Sequence, residues 1–165
     1  MKYIKTNGDL IYKARHGDFD VIAHGCNCFC TMNMGISPLF AKFFKCDTYK
    51  LEQPKFKGDI NKLGTIDFES FWLSRHNQYI DVINIYTQYE YGSDKTYLDY
   101  DALSLGLRKI NKIFSNKHIG LPRIGCGCGG GDWNIVDKII EKELCDMDVT
   151  VIMHVTPNYK QHLAL

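Results

Sequence analysis

Two kinds of hydrophobic pattern alternate along the chain. Nearly continuous apolar runs at 19–23 and 80–85 are typical of strands that are buried on both faces of a sheet. Elsewhere, apolar residues recur every three or four positions, as they do along one face of an amphipathic helix. The clearest such set consists of Leu103, Leu107, Ile110 and Phe114. The chain therefore combines buried strands with helices that bury one face.

This pattern predicts where each element lies. We expect strands at 2–6, 19–23, 63–73, 78–86, 118–121 and 149–155. Turns are expected at 7–9 and 74–77, a polar connection at 46–61, a surface loop at 87–98 and a tail from Pro157. Helices are expected where a side chain can cap a first turn, after Ser37, after Asp99 or Asp101, and after Asp132. Strands that alternate with helices predict a single domain over residues 1–165, a three-layer α/β/α fold with a central mixed, largely parallel sheet.

Composition narrows the range of functions. The 165 residues carry a net charge of +1, and 45% of them are hydrophobic, which is ordinary for a globular protein. No apolar run approaches the roughly 20 residues that a membrane-spanning helix needs, so we expect no membrane partner. Proteins that bind nucleic-acid grooves usually have a basic excess, which this chain lacks. We expect a monomer.

The cysteines predict neither disulfides nor a metal site. Their number is odd, and the N-terminal residues lack the apolar core of a signal peptide, so we expect a reducing, cytoplasmic compartment. The Cys-x-Cys spacings match no usual zinc-binding pattern, and small, polarizable side chains also suit tight loops. The seven residues are Cys26, Cys28, Cys30, Cys46, Cys126, Cys128 and Cys145.

The segment 122–133 contains five glycines between a predicted strand and a predicted helix. Glycines allow close approach of the backbone to a ligand, and the helix that follows offers unpaired N–H groups, so the segment predicts a phosphate-binding loop. A tight connection without a ligand is the alternative. The segment satisfies Gly-x-Gly-x-x-Gly, but the strand at 149–155 ends without a carboxylate for a ribose, and no Gly-Lys-Ser/Thr is present. Dinucleotide-dependent oxidoreductases and P-loop proteins are therefore disfavoured.

Three blocks of the sequence resemble the macrodomain, an α/β module that binds ADP-ribose. They are Asn7-Gly8-Asp9-Leu10, the segment from Val21-Ile22-Ala23-His24-Gly25-Cys26-Asn27 to Met34-Gly35-Ile36, and the segment from Leu121-Pro122-Arg123 to Asp132-Trp133. Within the family, the chain is most similar to ADP-ribose 1″-phosphate phosphatases, which have a His at the position of His24 and an Asn-x-x-Thr-Gln stretch like 84–88. Branches that remove ADP-ribose from macromolecules carry a catalytic Lys where this chain has Gln88. The branch that acts on terminal ADP-ribose also carries an Asp where this chain has Gly129.

The resemblance implies an enzyme that binds ADP-ribose or its 1″-phosphate and hydrolyses the latter to ADP-ribose and phosphate. Because no acidic cluster in the sequence suggests a bound metal, we expect this hydrolysis to need no metal, and we expect no cofactor. Nucleic acid would be a partner only as an ADP-ribosylated substrate. The candidate catalytic residues are His24 and Asn84, which lie in stretches that carry the resemblance, and Asp94, the best candidate for a partner from the loop at 87–98. The implied ligand-binding residues are Asp9, Leu10, Asn27, Asn33, Gly35, Ile36, Ile124, Gly125, Cys126, Gly127, Cys128, Gly129 and Gly130.

Other roles for these residues stay open. His24 fits a proton-transfer group at the end of a strand, and it also fits a buried, hydrogen-bonded core histidine. Asp94 can orient His24 or activate a water, or it can simply form a surface turn. Asn84 can bind substrate or end its strand. At the level of function, the alternatives are a hydrolase that removes ADP-ribose from a modified macromolecule and a non-enzymatic ADP-ribose reader.

Overall fold

Strands and helices alternate along the residues that the structure, a computed structural model, describes: 1–48 and 57–155. The strands are β1 (Tyr3–Gly8), β2 (Val21–Asn27), β3 (Ile66–Leu73), β4 (Gln78–Gln88), β5 (His118–Pro122) and β6 (Asp148–Val155). The helices are α1 (Leu10–Arg15), α2 (Ser37–Phe44), α3 (Tyr100–Ile113) and α4 (Trp133–Glu143). Short 3-10 helices span Cys46–Thr48 and Ile60–Lys62.

The strands form one sheet in the order β1-β6-β5-β2-β4-β3. Every neighbouring pair is parallel except the hairpin of β3 and β4, which is antiparallel. The predicted mixed, largely parallel sheet is confirmed.

Two hydrophobic cores cover the two faces of this sheet. On one face, α1 and α2 pack with Ile22 and Val82, and Phe40 of α2 is fully buried there. On the other face, α3 and α4 pack with Val21 and Ile83. Because successive side chains of a strand point to opposite faces, the continuous apolar runs of β2 and β4 supply both cores. The predicted three-layer arrangement is confirmed.

The two central strands, β2 and β5, pair over a short length. Their pairing covers Val21 with Ile119 and Ile22 with Gly120. Beyond these pairs β2 continues beside β4 as far as Asn27, while β5 continues beside β6 as far as Pro122. The sheet therefore opens between the carboxyl-terminal halves of β2 and β5.

Three predicted boundaries were wrong. Strand β2 does not end before His24 but runs on to Asn27, so His24 lies inside a strand. The expected turn at 7–9 does not form, because Gly8 still pairs with β6 and Asp9 caps α1 through a hydrogen bond from the Tyr12 N–H. Ser37 is not the cap of α2; it is the first helical residue and its side chain binds elsewhere.

The other elements lie close to their predicted positions. Asp99 caps α3 and Asp132 caps α4, each by accepting a backbone N–H. The hairpin turn between β3 and β4 falls at 74–77. The tail predicted from Pro157 and half of the connection at 46–61, residues 49–56, lie outside the described residues. Within the described part of the chain, no helix has the length and apolarity to cross a membrane.

The packing of α3 on β4 predicts the effect of a glycine substitution. A Cβ on Gly106 would lie 2.3 Å from Cγ2 of the buried Ile85. Alanine favours a helix over glycine by about 1 kcal/mol, but overpacking a core costs about 1–3 kcal/mol. We therefore expect Gly106→Ala to lower the free energy of unfolding by about 1 kcal/mol in urea denaturation. Lys112→Ala, at an exposed position of the same helix, is the control, and a stabilised Gly106→Ala would contradict the close packing.

Candidate functional site

A groove with a volume of about 460 Å³ lies at the carboxyl edge of the sheet, where β2 and β5 separate. Its walls come from the last residues of β2, β4 and β5 and from the segments that follow these strands, together with Ile152 and Met153 of β6. The helices after β2 and β5, α2 and α4, lie on opposite faces of the sheet. Ligands of open α/β sheets bind in such a crevice, and the volume is typical of small-molecule sites.

The loop after β5 presents three successive backbone donors to this groove. The N–H groups of Gly127, Cys128 and Gly129 donate to no other group of the described chain, and all three residues line the groove. The loop leads directly into α4, which begins at Trp133. Unpaired N–H groups close to a helix N-terminus attract anions, so the loop can hold a phosphate group.

Hydrogen bonds hold this loop in shape. The Gly131 N–H donates to the Gly125 carbonyl at 2.8 Å, and the N–H groups of Tyr97 and Leu98 donate to the Gly129 carbonyl at 2.8 and 3.0 Å. A Cβ on Gly129 would lie 2.6 Å from the Gly125 carbonyl oxygen, which leaves no room for a side chain. The loop is therefore built before any ligand binds.

Two buried polar atoms of residues that line the groove have no hydrogen-bond partner in the described chain: Oγ1 of Thr87 and Nε of Arg123. Buried polar atoms in proteins are almost always paired. The Arg123 guanidinium also lies over the Trp133 ring, 5.3 Å from its centroid, so a positive charge lies beside the glycine-rich loop. Both atoms lie inside the groove wall, and the positive charge of Arg123 favours an anionic ligand in the groove.

The thiols of the groove are uncharged at neutral pH or exposed to solvent. Burial raises the pKa of Cys126 to about 11, while Cys128 is exposed. All seven cysteines are free, and no group of three metal-ligating side chains occurs within residues 1–48 and 57–155.

The two asparagines expected to face a ribose differ in their surroundings. The Asn27 side chain holds the loop after β2: its Oδ1 accepts from the N–H groups of Phe29 and Thr31, and its Nδ2 donates to the Thr31 carbonyl at 2.9 Å. Asn33 is exposed in the groove. Asn27 therefore shapes the wall, and Asn33 is the asparagine whose amide is accessible to a ligand.

His24 is fully buried and does not line the groove. Its ring stacks on Phe40 with 4.1 Å between centroids. Its Nε2 lies 2.8 Å from Oδ1 of Asn84, and its Nδ1 lies 3.1 Å from Oγ of Ser37, a residue of the groove wall. Burial lowers the pKa of His24 to about 4, so the imidazole is neutral at physiological pH. The structure brings His24 and Asn84 together, and His24 contacts the groove wall through Ser37.

Asp94 lies away from this pair. Its carboxylate is exposed and accepts a hydrogen bond from the Tyr97 hydroxyl, which lowers its pKa. Three of the expected ligand-binding residues also lie outside the groove lining. Asp9 caps α1, Leu10 is fully buried in the core, and Gly130 closes the loop by donating to the Gly127 carbonyl at 3.0 Å.

The remaining expected ligand-binding residues do line the groove: Asn27, Asn33, Gly35, Ile36, Ile124, Gly125, Cys126, Gly127, Cys128 and Gly129. Sequence reasoning missed Thr87, Arg123 and Ser37 as groove residues. Arg123 had a signal, since it stands next to the glycine-rich loop. Ser37 precedes Pro38, a pattern that predicts a helix cap instead. Thr87 also had a signal, since it is the threonine of the Asn-x-x-Thr-Gln stretch at 84–88.

Comparison with known proteins identifies one relative and a fold. No family model matches the chain. Over 160 residues the chain is 32% identical to the uncharacterized 17.5 kDa protein in the tk-vs intergenic region of Enterobacteria phage T4, and the match covers 92% of this chain and 95% of that protein.

Solved structures share the fold at low identity. The macrodomain of Thermus aquaticus DarG matches with a TM-score of 0.64 and 18% identity, over 92% of this chain and 98% of that chain. Thermosipho africanus DarTG, solved in complex with ADP-ribose, matches with a TM-score of 0.71 and 17% identity, over 98% of this chain and 44% of that chain. The predicted macrodomain-like fold is confirmed.

The burial of His24 predicts how stability depends on pH. The pKa of His24 is about 4 in the folded chain, whereas an unperturbed histidine, as in the unfolded chain, has a pKa of 6.5. Between these values the unfolded chain binds a proton that the folded chain excludes, so the free energy of unfolding falls as the pH falls. We expect His24 to contribute about 3 kcal/mol of this loss. Urea denaturation of the wild type and His24→Gln across this range measures it, and equal pH slopes would contradict the burial.

Proposed function

The chain belongs to the family of the phage T4 17.5 kDa protein and has the macrodomain fold, and on this basis we propose that it binds ADP-ribose in the groove. The observation that carries the proposal is the row of three unpaired N–H groups at 127–129. A diphosphate is the part of ADP-ribose that needs several convergent donors. Backbone donors at the start of a helix supply them without a cationic side chain.

The side chains of the groove support an anionic, polar ligand. Arg123 has an unpaired Nε, and its positive charge lies beside the loop. Among the described residues that line the groove there is no Asp, Glu, Lys or His. A diphosphate in the groove would therefore meet a cation and no carboxylate.

Isothermal titration calorimetry with ADP-ribose tests this proposal through Gly127→Val. A Cβ at position 127 meets no atom within 4 Å, so the variant should fold, but its side chain stands in the open space where the phosphate would lie. We expect a loss of affinity of about tenfold or more. Ser115→Val, at an exposed position outside the groove lining, is the control. Failure of the wild type to bind ADP-ribose, or unchanged binding by Gly127→Val, would refute the proposal.

Hydrolysis of ADP-ribose 1″-phosphate is a second candidate. It is supported by the contact between His24 and Ser37, because through it the buried imidazole meets a residue of the groove wall. His24 would then act through Ser37, as a positioning residue, since it does not itself line the groove. Removal of ADP-ribose from a macromolecule is less well supported, because position 88 holds Gln and Gly129 has no room for an Asp.

Two substitutions of His24 test the second candidate. Asparagine places an acceptor near the position of Nδ1 and can keep the contact to Ser37, whereas glutamine reaches the position of Nε2 and loses that contact. We expect release of phosphate from ADP-ribose 1″-phosphate by the wild type and by His24→Asn, and about tenfold less by His24→Gln. Calorimetry checks that both variants still bind ADP-ribose. No release by the wild type would exclude the phosphatase and leave the binding proposal intact.

A further inference from the structure

Behind the groove wall, hydrogen bonds join a row of polar side chains. It begins at the Asp67 carboxylate, passes through Asn84 and His24, and ends at Ser37 in the groove wall. The first three residues are at most 3% exposed. Because water does not reach these side chains, each donor in the row must meet an acceptor, and the direction of every hydrogen bond can be assigned from chemistry.

The Asn84 amide has one orientation. Its Nδ2 lies 2.7 Å from Oδ1 of Asp67 and 2.8 Å from the Cys46 carbonyl oxygen. A carboxylate and a carbonyl accept but do not donate, so both contacts require the NH₂ group. The other Asp67 oxygen accepts from the Tyr86 hydroxyl at 2.6 Å, which fixes the carboxylate in turn. The amide oxygen of Asn84 therefore faces His24.

This orientation determines the tautomer of His24. The Nε2 atom meets the Asn84 oxygen at 2.8 Å and must carry the proton. In a neutral imidazole the other nitrogen is then an acceptor. Since Nδ1 lies 3.1 Å from Oγ of Ser37, the Ser37 hydroxyl is the donor in that contact.

Ser37 thus donates its single hydroxyl proton to Nδ1 of His24, behind the groove wall. The remaining lone pairs of its Oγ accept from no other group in the described chain. A hydroxyl normally rotates and can either donate or accept, but this one is fixed as an acceptor.

We propose that Ser37 is a specificity residue that accepts a hydrogen bond from a hydroxyl of the distal sugar of the ligand. The proposal rests on the proposed ADP-ribose binding and names the part of the ligand that Ser37 contacts. A phosphate diester has no proton to donate at neutral pH and a phosphate monoester is mostly a dianion, so Ser37 favours a free sugar hydroxyl over a phosphate at the point of contact. A ligand without the second sugar gains nothing from it.

The same direction of hydrogen bonding, from hydroxyl to imidazole, occurs where a serine acts as a nucleophile. Two observations favour the acceptor instead. Full burial disfavours the imidazolium that forms when histidine takes the serine proton. The group on the far side of the ring is the neutral Asn84 amide rather than a carboxylate that would stabilise that cation.

Long-range ¹H–¹⁵N NMR correlation spectra of the histidines test the first half of the inference without any ligand. We expect His24 to be protonated on Nε2 and neutral throughout the neutral pH range, and the Nδ1 resonance to shift in Ser37→Ala, where its donor is lost. Protonation on Nδ1, or an unchanged Nδ1 resonance in the variant, would overturn the assignment of Ser37 as a fixed acceptor.

Calorimetry with two ligands tests the second half. We expect Ser37→Ala to bind ADP-ribose about fivefold more weakly, as expected for the loss of one neutral hydrogen bond, and to bind ADP as the wild type does. Ser115→Ala, at an exposed serine outside the groove lining, is the matched control.

Each other outcome is informative. Equal loss for ADP and ADP-ribose would mean that Ser37 acts only on the shape of the groove and would overturn the proposal. Covalent labelling of Ser37 by a fluorophosphonate would identify a nucleophile and would also overturn it. If the wild type binds ADP-ribose and Ser37→Ala does so equally well, only this inference fails. If the wild type does not bind ADP-ribose, the proposed function fails and the sugar as partner of Ser37 fails with it.

Discussion

The short pairing of β2 with β5 is the constraint on which the site depends. Two residue pairs hold the centre of the sheet together, and beyond Ile22 and Gly120 each strand follows its other neighbour. The strands separate because the helices that follow them pack on opposite faces. A Cβ on Gly25 would lie 2.8 Å from Oγ1 of Thr87, so glycine at that position leaves the Thr87 hydroxyl room beside the groove.

The same opening explains why the proposed anion-binding groups are backbone N–H groups and not side chains. A loop that crosses the gap after β5 cannot bond its N–H groups to a neighbouring strand, and the donors at 127–129 have no acceptor in the described chain. In the interior of a protein, unpaired N–H groups of this kind would lower the free energy of unfolding. Here the loop is tied down through its carbonyls, by Gly131 and by the segment at 97–98, so the unpaired N–H groups keep their positions. Different peptide groups of the loop therefore have different tasks: the carbonyls of Gly125 and Gly129 hold the loop in place, and the N–H groups at 127–129 stay free to meet an acceptor.

The sequence was sufficient for the elements whose periodicity is regular and for the glycine-rich loop, whose composition is unusual for a connection that binds nothing. It was insufficient where a polar residue lies inside an element. His24 looks like the end of β2 because polarity usually marks a strand end, yet its imidazole is paired on both nitrogens and the strand continues to Asn27. Ser37 looks like a helix cap because Pro38 follows it. Only the position of β4, which brings Asn84 beside His24, shows that the Ser37 hydroxyl is used elsewhere. Pairings across the sheet leave no local signal.

The buried row from Asp67 to Ser37 is a costly way to fill the space under a groove. Aliphatic side chains of the same volume would need no partners, and removing one member of a buried polar row leaves the others unpaired. Aliphatic side chains cannot, however, determine which group of a hydrogen bond donates and which accepts. Asp67 can only accept from Asn84, Asn84 must then accept from His24, and His24 must accept from Ser37. The carboxylate of Asp67, at the far end of the row, thus helps to determine that the Ser37 hydroxyl offers its oxygen, and not its proton, to the groove. The interior and the groove wall of this protein are for that reason one hydrogen-bonded unit.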